Sequence, residues 1–268
     1  MTEEKNVVST RDSNGNIVQI ETYDFIPSTH ARAKECAKLG YPDRYVIFSE
    51  KQLKTALTSN KASDTEIEKG MFISLILRPS IFPSQAPLLG AMSATAMVTA
   101  FEEHTTKPLG LGWVSDVYCD GARIGSVSIE GKLDNYTTYE YIIITFAARL
   151  DEDNFPPRLN DMIKKVFESE NTSISMIIAR NVLNKFFRHY ANLKTSSKFM
   201  ETYNKKFILR GEKVKYLQGD KKRTCRVLNV DTKTGALILE MKDGSVINVT
   251  TPASVTTPKK IRIKKVQK

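Results

Sequence analysis

GLGWVSDVYCDGARIGSVSIE, residues 110–130, decides how the rest of this chain is read. It holds the only tryptophan, Trp113, followed closely by Ser115 and Asp116. Asp120-Gly121 then separates two β-rich runs, and an Asp-Gly pair in that setting is a strong short-range hairpin signal. The run from Arg123 to Glu130 alternates along its length. The stretch therefore predicts a strand, a tight turn and a second strand, with Trp113 and Asp116 at one end.

Upstream, residues 1–16 are polar and end near Asn14-Gly15, a turn that offers to pair residues 6–10 with an alternating strand at 16–23. Ser28 or Thr29 is the N-cap of an alanine-rich helix that Gly40 and Pro42 end. Residues 45–49 predict a short strand, the charged stretch 50–69 a loop, and 71–77 a buried strand closed by Arg78-Pro79. Leu89, Met92, Ala96 and Ala100 set a closely packed central helix over 88–102. Downstream of the hairpin, 139–148 is a long apolar strand and Phe155-Pro156-Pro157 a break. Residues 159–169 and 172–202 read as helices, the second with an apolar core stripe of Ile174, Ile177, Ile178, Val182 and Phe186. From residue 203 the composition changes. Short strands at 214–217, 223–230, 236–241 and 246–250, punctuated by Gly219-Asp220, Thr234-Gly235 and Asp243-Gly244, predict a small antiparallel barrel or sandwich. Residues 258–268 alternate basic and apolar, as a last strand or a basic tail.

A chain of 268 residues with 41% hydrophobic and 26% charged content has the composition of a globular protein with a sizeable core. No apolar run nears the roughly 20 residues of a membrane span, and the polar N-terminus lacks the apolar stretch of a signal peptide. A cytoplasmic location and no membrane partner are expected. Cys36, Cys119 and Cys225, with His30, His104 and His189, have no metal-ligand spacing, so no metal site and three reduced thiols are expected. The net charge of +10 is uneven: residues 203–268 hold 17 Lys/Arg against 5 Asp/Glu, the remainder 23 against 25. An anionic partner for the tail and a merely solvated basic surface both fit that asymmetry.

The 110–130 stretch resembles the central hairpin of the biotin–protein ligase family, in which Lys-Trp-Pro-Asn-Asp leads through a turn into a lysine-containing strand. Three further motifs stand in the family's order. Ser28-Thr29-His30 looks like the Ser-Thr-Asn that opens its first helix. Ser74-Leu-Ile-Leu-Arg-Pro79 looks like its Ser-Leu-x-Leu-Arg-Pro strand. Gly235-Ala-Leu-Ile-Leu-Glu240 before Asp243-Gly244 is similar to its C-terminal domain. The resemblance covers about residues 17–268. It implies an α/β (α+β) fold, a mixed sheet with helices of the class II synthetase-like biotin/lipoate ligase type, followed by a small SH3-like β-barrel. The domains expected are a polar segment at 1–16, a catalytic-type domain at 17–202 and a basic SH3-like domain at 203–268.

The family reaction joins biotin and ATP into biotinyl-adenylate and passes the acyl group to a lysine of a carboxylase carrier domain. The resemblance therefore implies biotin and ATP, with Mg, as ligands if the chain is active, an acidic carrier domain as partner, and a homodimer. It assigns Arg123 as anion clamp and Asp116 as the orienting carboxylate. Ser28, Thr29, Gln52, Trp113, Ser115 and Ser126 become ligand contacts. Several positions depart from the pattern. The motif lysine is Gly112, its proline Val114 and its asparagine Ser115. The strand lysine is Arg123, and a biotin-facing glycine is Ser126. Gln52 is followed by Leu53-Lys54-Thr55 where the family has a Gly-Arg loop. The closing Gly-x-Gly-x-Asn strand reads Thr145-Phe146-Ala147-Ala148-Arg149, with Phe146 expected to narrow the pocket. The departures cluster at the ligand positions, which suits a member without turnover that binds a carrier protein, another acyl ligand, or nucleic acid through residues 203–268.

Overall fold

The computed structural model of the protein describes residues 5–55, 63–134, 138–150, 173–191, 193 and 197–256. An eight-stranded mixed sheet forms its centre, in the order β1-β2-β3-β4-β8-β7-β6-β5. Its strands are β1 (Lys5–Arg11), β2 (Ile17–Tyr23), β3 (Tyr45–Leu53), β4 (Ile67–Leu77), β5 (Leu109–Leu111), β6 (Asp116–Cys119), β7 (Ala122–Leu133) and β8 (Tyr139–Ala148). β2 and β3 run parallel, joined by helix α1 (Thr29–Lys38), and the other neighbours are antiparallel. On the opposite face lie α2 (Ala86–Phe101), α3 (Ile174–Tyr190) and α4 (Ser197–Lys206).

Local chemistry accounts for these elements. Asp12 accepts the backbone N–H groups of Asn14 and Asn16 at 2.8 and 2.9 Å and so closes the β1–β2 turn, where Gly15 has φ +81°. Ser28 caps α1 by accepting the Ala31 N–H at 3.2 Å. α2 is buried all round, as expected of a helix apolar on every side. Ser93, Thr95 and Thr99 within it return their hydroxyls to the carbonyls four residues back. α3 is one-sided and buries Ile178, Val182, Phe186 and Phe187.

The expected helix at 88–102 and the hairpin about Asp120-Gly121 are present as α2 and β6–β7. Two expectations need correction. Residues 50–69 are strand at both ends, with Lys51 opposite Lys69, Gln52 opposite Glu68 and Leu53 opposite Ile67. That extension carries charged side chains beyond the apolar core, so its sequence shows no hydrophobic period. The stretch 172–202 forms two helices, not one. The pairing offered through Asn14-Gly15 is present: residues 5–11 form β1 beside β2, an edge strand whose exposure explains its polarity. The helix expected at 159–169 and the strand or tail at 258–268 lie outside the described residues.

The C-terminal part is a five-stranded antiparallel sheet, in the order β12-β11-β10-β9-β13, and fits an SH3-like barrel. Its strands are β9 (Lys213–Gln218), β10 (Lys221–Val230), β11 (Leu237–Glu240), β12 (Val246–Val249) and β13 (Val255–Thr256). Val214, Val227, Leu237 and Leu239 join the same hydrophobic core as α2, α3 and the large sheet. The composition change at residue 203 falls inside α4, which packs on α2.

Candidate functional site

The strand register places the site. Paired residues share a face, and faces alternate along a strand. One row across the α1 face reads Asp116, Ser126, Ala147, Phe72 and Ser49; the next reads Ser128, Thr145, Ser74 and Ile47. α1 lies over the far side of this face, packing Ala33, Cys36 and Ala37 on Tyr45, Ile47, Ile76, Tyr141 and Ile143. Its N-terminus ends above Ser74 and Thr145.

There the expected residues Ser28, Thr29 and Gln52 come together. The Gln52 carbonyl oxygen accepts from the Thr29 N–H and hydroxyl, each at 3.3 Å. The chain of contacts continues through Ser74 Oγ to Thr29 Oγ1 at 3.0 Å, Ser74 to Thr145 at 3.0 Å and Thr145 to His30 Nδ1 at 2.9 Å. His30 Nε2 meets Glu130 at 2.8 Å, and Lys34 also donates to Glu130. Lys34 first and His30 second hold the Glu130 carboxyl below the usual range. Ser74, Thr145, His30 and Glu130 were not singled out from sequence as ligand contacts. Ser74 and Thr145 showed in the sequence as polar residues at alternate positions of otherwise apolar strands, and His30 as the last residue of the Ser28-Thr29-His30 motif that opens α1.

The second group lies at the β6–β7 end of the sheet. Trp113, Ser115, Asp116 and Ser126 line a cavity of about 650 Å³ between the large sheet, the start of α2 and the loop at 250–255. Arg123 Nη1 is 3.5 Å from Asp116 Oδ1. The Ser115 hydroxyl donates to the Val127 carbonyl at 2.6 Å. The Trp113 indole N–H donates to the Gly235 carbonyl at 2.9 Å, which places this ring at the junction of the two sheets. The fully buried Tyr203 hydroxyl reaches the carbonyls of Gly112 and Val114 at 3.1 and 3.0 Å, and burial raises its pKa well above the ordinary phenol value. A Cβ at Gly112 would stand 2.9 Å from Tyr118 Cε2 and 3.2 Å from Asp116 Cβ. Asp116 and Ser126 thus share the α1 face with the first group, whereas Trp113 belongs to the core on the α2 side, and the expected residues do not form one cluster. Phe146 is a further correction: it points to the other face and packs on Phe186, ring centroids 5.8 Å apart, so Ala147 and not Phe146 borders the site. Among the described residues no group of three or more His, Cys, Asp or Glu is placed to hold a metal ion.

The architecture aligns with the biotin protein ligase of Aquifex aeolicus in complex with biotin and ATP, at a TM-score of 0.62 over 88% of this chain and 97% of that one, with 18% identity. The fold is that of the biotin–protein ligases. A biotin protein ligase-like protein of unknown function from Silicibacter sp. TM1040 has the same fold at a TM-score of 0.58 and 13% identity, covering 90% of this chain and 96% of that one. In sequence the chain resembles the bifunctional ligase/repressor BirA of Bacillus spizizenii, 24% identical over 174 residues, 64% of this chain and 54% of that protein. The chain spans about half the length of the curated relatives it matches. No protein-family model matches it.

Proposed function

We propose that this is a biotin–protein ligase-like protein that holds a small carboxylic acid of the biotin class between the N-terminus of α1 and the Asp116–Arg123 pair, without converting it to an adenylate. The observation that carries the reading is the closure of Gly112. Adenylate formation brings two anions together and needs cations aimed at the phosphate. Gly112 lacks the cation of the motif lysine, and a Cβ there would already crowd Tyr118 Cε2 at 2.9 Å. A single carboxylate asks for less. α1 has no acidic residue in its first turn, so its N-terminus offers a partial positive end to the polar oxygens at the far end of the ligand. Arg123, with a side chain 24% exposed, supplies the fork for a carboxylate. Thr29, Ser74 and Gln52 supply hydroxyl and amide groups for the far end of the ligand. The domain division at about residue 203, the acidic carrier domain as partner of the basic C-terminal part, the cytoplasmic location and homodimer formation all accompany this reading.

Calorimetric titration with biotin and with lipoate, beside an assay of pyrophosphate release with each acid plus ATP and Mg, tests it. One acid is expected to bind, Arg123→Ala to weaken that binding about tenfold or more, and no pyrophosphate to appear. Pyrophosphate release would put the ATP-dependent family reaction in place of binding alone. No heat with either acid would remove the acid site.

A further inference from the structure

We propose that His30 sets the direction in which a buried ladder of hydroxyl groups points its protons, and so decides whether the far end of the ligand meets a free acceptor. The consequence for binding rests on the acid site proposed above; the ladder itself does not. Four contacts make it: His30 Nδ1 to Thr145 at 2.9 Å, Thr145 to Ser74 at 3.0 Å, Ser74 to Thr29 Oγ1 at 3.0 Å, and Thr29 Oγ1 to the Gln52 carbonyl oxygen at 3.3 Å. Thr29 and Ser74 are fully buried and Thr145 nearly so, which closes these bonds to bulk water. The His30 side chain, 28% exposed, exchanges its proton with solvent.

A hydroxyl donates a single proton. Hydroxyls in series therefore all point one way, or two buried oxygens face each other with no proton between them. Lys34 first and His30 second keep Glu130 ionised, so His30 Nε2 carries a proton toward it in either charge state. The Thr29 N–H donates to the Gln52 carbonyl oxygen and fixes which end of that amide faces α1. When His30 is charged, Nδ1–H donates to Thr145, Thr145 to Ser74, Ser74 to Thr29 and Thr29 to Gln52, whose oxygen then holds both Thr29 donors. When His30 is neutral, the bare Nδ1 takes the Thr145 proton and every rung reverses. Thr29 then turns its hydroxyl to Ser74, and the Gln52 oxygen regains a lone pair for the ligand. An N–H group, such as the cyclic urea of biotin carries, needs that acceptor. Among the described residues the charged groups facing His30 are Glu130 of β7 and Lys34 of α1 itself. β8 and β4 present Thr145 and Ser74, and Tyr141 of β8 stands by Lys34. Arg32 turns instead to Glu21 of β2, which Tyr45 of β3 also reaches.

Nuclear magnetic resonance of the protein without ligand reads the ladder directly. Between about pH 8 and about pH 5.5, where imidazoles change charge, the Gln52 side-chain amide signals are expected to shift together with the His30 ring. In Thr145→Val the ring still titrates and the Gln52 signals stay in place. Gln52 signals that ignore pH in the natural protein, or that still follow His30 in Thr145→Val, overturn the proposal. Calorimetry with biotin over the same range reads the consequence. Its affinity is expected to fall about fivefold toward the lower pH, the worth of one ordinary hydrogen bond, and to be independent of pH in Thr145→Val and in His30→Gln. Equal affinity at both ends of the range in the natural protein also overturns the proposal. No heat at any pH removes the acid site, and the ladder then stands or falls on the Gln52 signals alone. Circular dichroism at each pH shows that every variant keeps the fold.

Discussion

Gly112 is occupied by its neighbours more than by its own chemistry. Its missing side chain leaves room for the Tyr118 ring, and its carbonyl is one of two taken by the Tyr203 hydroxyl. The loop that carries Trp113 is therefore held from below by a phenol and from the side by a ring. Gly112→Ala puts a methyl group 2.9 Å from Tyr118 Cε2 and is expected to destabilise the protein by about 1–3 kcal/mol, the usual cost of overpacking. Urea denaturation followed by circular dichroism measures this. An unchanged midpoint would mean that the ring moves aside freely and that the motif lysine position is open after all. Tyr203 was not legible in the sequence as a partner of this loop. Its hydrogen bonds span about 90 residues of chain, a distance over which no local pattern carries information.

Among the elements, α2 and α3 meet across the core and end in ionisable groups that burial disfavours as charges. Burial is the first cause lowering the pKa of both His104 and His189 below the usual imidazole value. His104 has both ring nitrogens buried without a hydrogen-bond partner, beside Glu103 and Lys185. The His189 ring leans on Phe199, centroids 5.9 Å apart, with Arg188 and Lys185 adding positive charge nearby. The unfolded chain binds protons at the ordinary histidine pKa while the folded chain still resists them. Stability is therefore full above about pH 6.5 and falls as the pH drops through that value toward the depressed folded pKa. The urea midpoint should decrease between about pH 7.5 and about pH 5.5, and His104→Leu should flatten the decline. A midpoint that stays constant over that range would show these rings to be wetter than their surroundings suggest. The elements themselves were largely legible. α1 announces its cap at Ser28, and α2 and β6–β7 follow from small-residue packing and an Asp-Gly turn. The polar ends of β3 and β4 were not legible, because a strand that leaves the core keeps its backbone pairing and loses its apolar period. Of the site, the α1 cap and Gln52 were legible one by one. Their ladder through Ser74 and Thr145 was not, since only the register of four strands assembles it.

For the whole molecule, the question is whether the two sheets unfold as one. Three contacts tie them. The Ile208 N–H donates to the Leu111 carbonyl at 3.0 Å, the Trp113 indole N–H to the Gly235 carbonyl at 2.9 Å, and Gly235 lies against the first turn of α2. A Cβ at Gly235 would meet the Leu88 nitrogen at 2.8 Å, and its φ of +74° belongs to the left-handed region that L side chains avoid. The hydrophobic core runs without a break from Val46 through Leu89 to Leu237. A shared core and a buried hydrogen bond predict one cooperative transition despite the change of composition near residue 203. Trp113 is the only tryptophan and sits at the junction, so its emission reports the contact itself. In the natural protein, the fluorescence and far-ultraviolet circular dichroism transitions in urea should coincide. Gly235→Ala strains the left-handed turn and drives its methyl group into backbone that cannot swing away. Its fluorescence transition should move to lower urea, ahead of the circular dichroism, as the junction opens before the sheets melt. If the two probes separate already in the natural protein, the sheets are independent domains and the composition boundary marks a true seam. If they stay together in Gly235→Ala with only a lower midpoint, the core contacts and not the Trp113–Gly235 bond hold the units in one cooperative body.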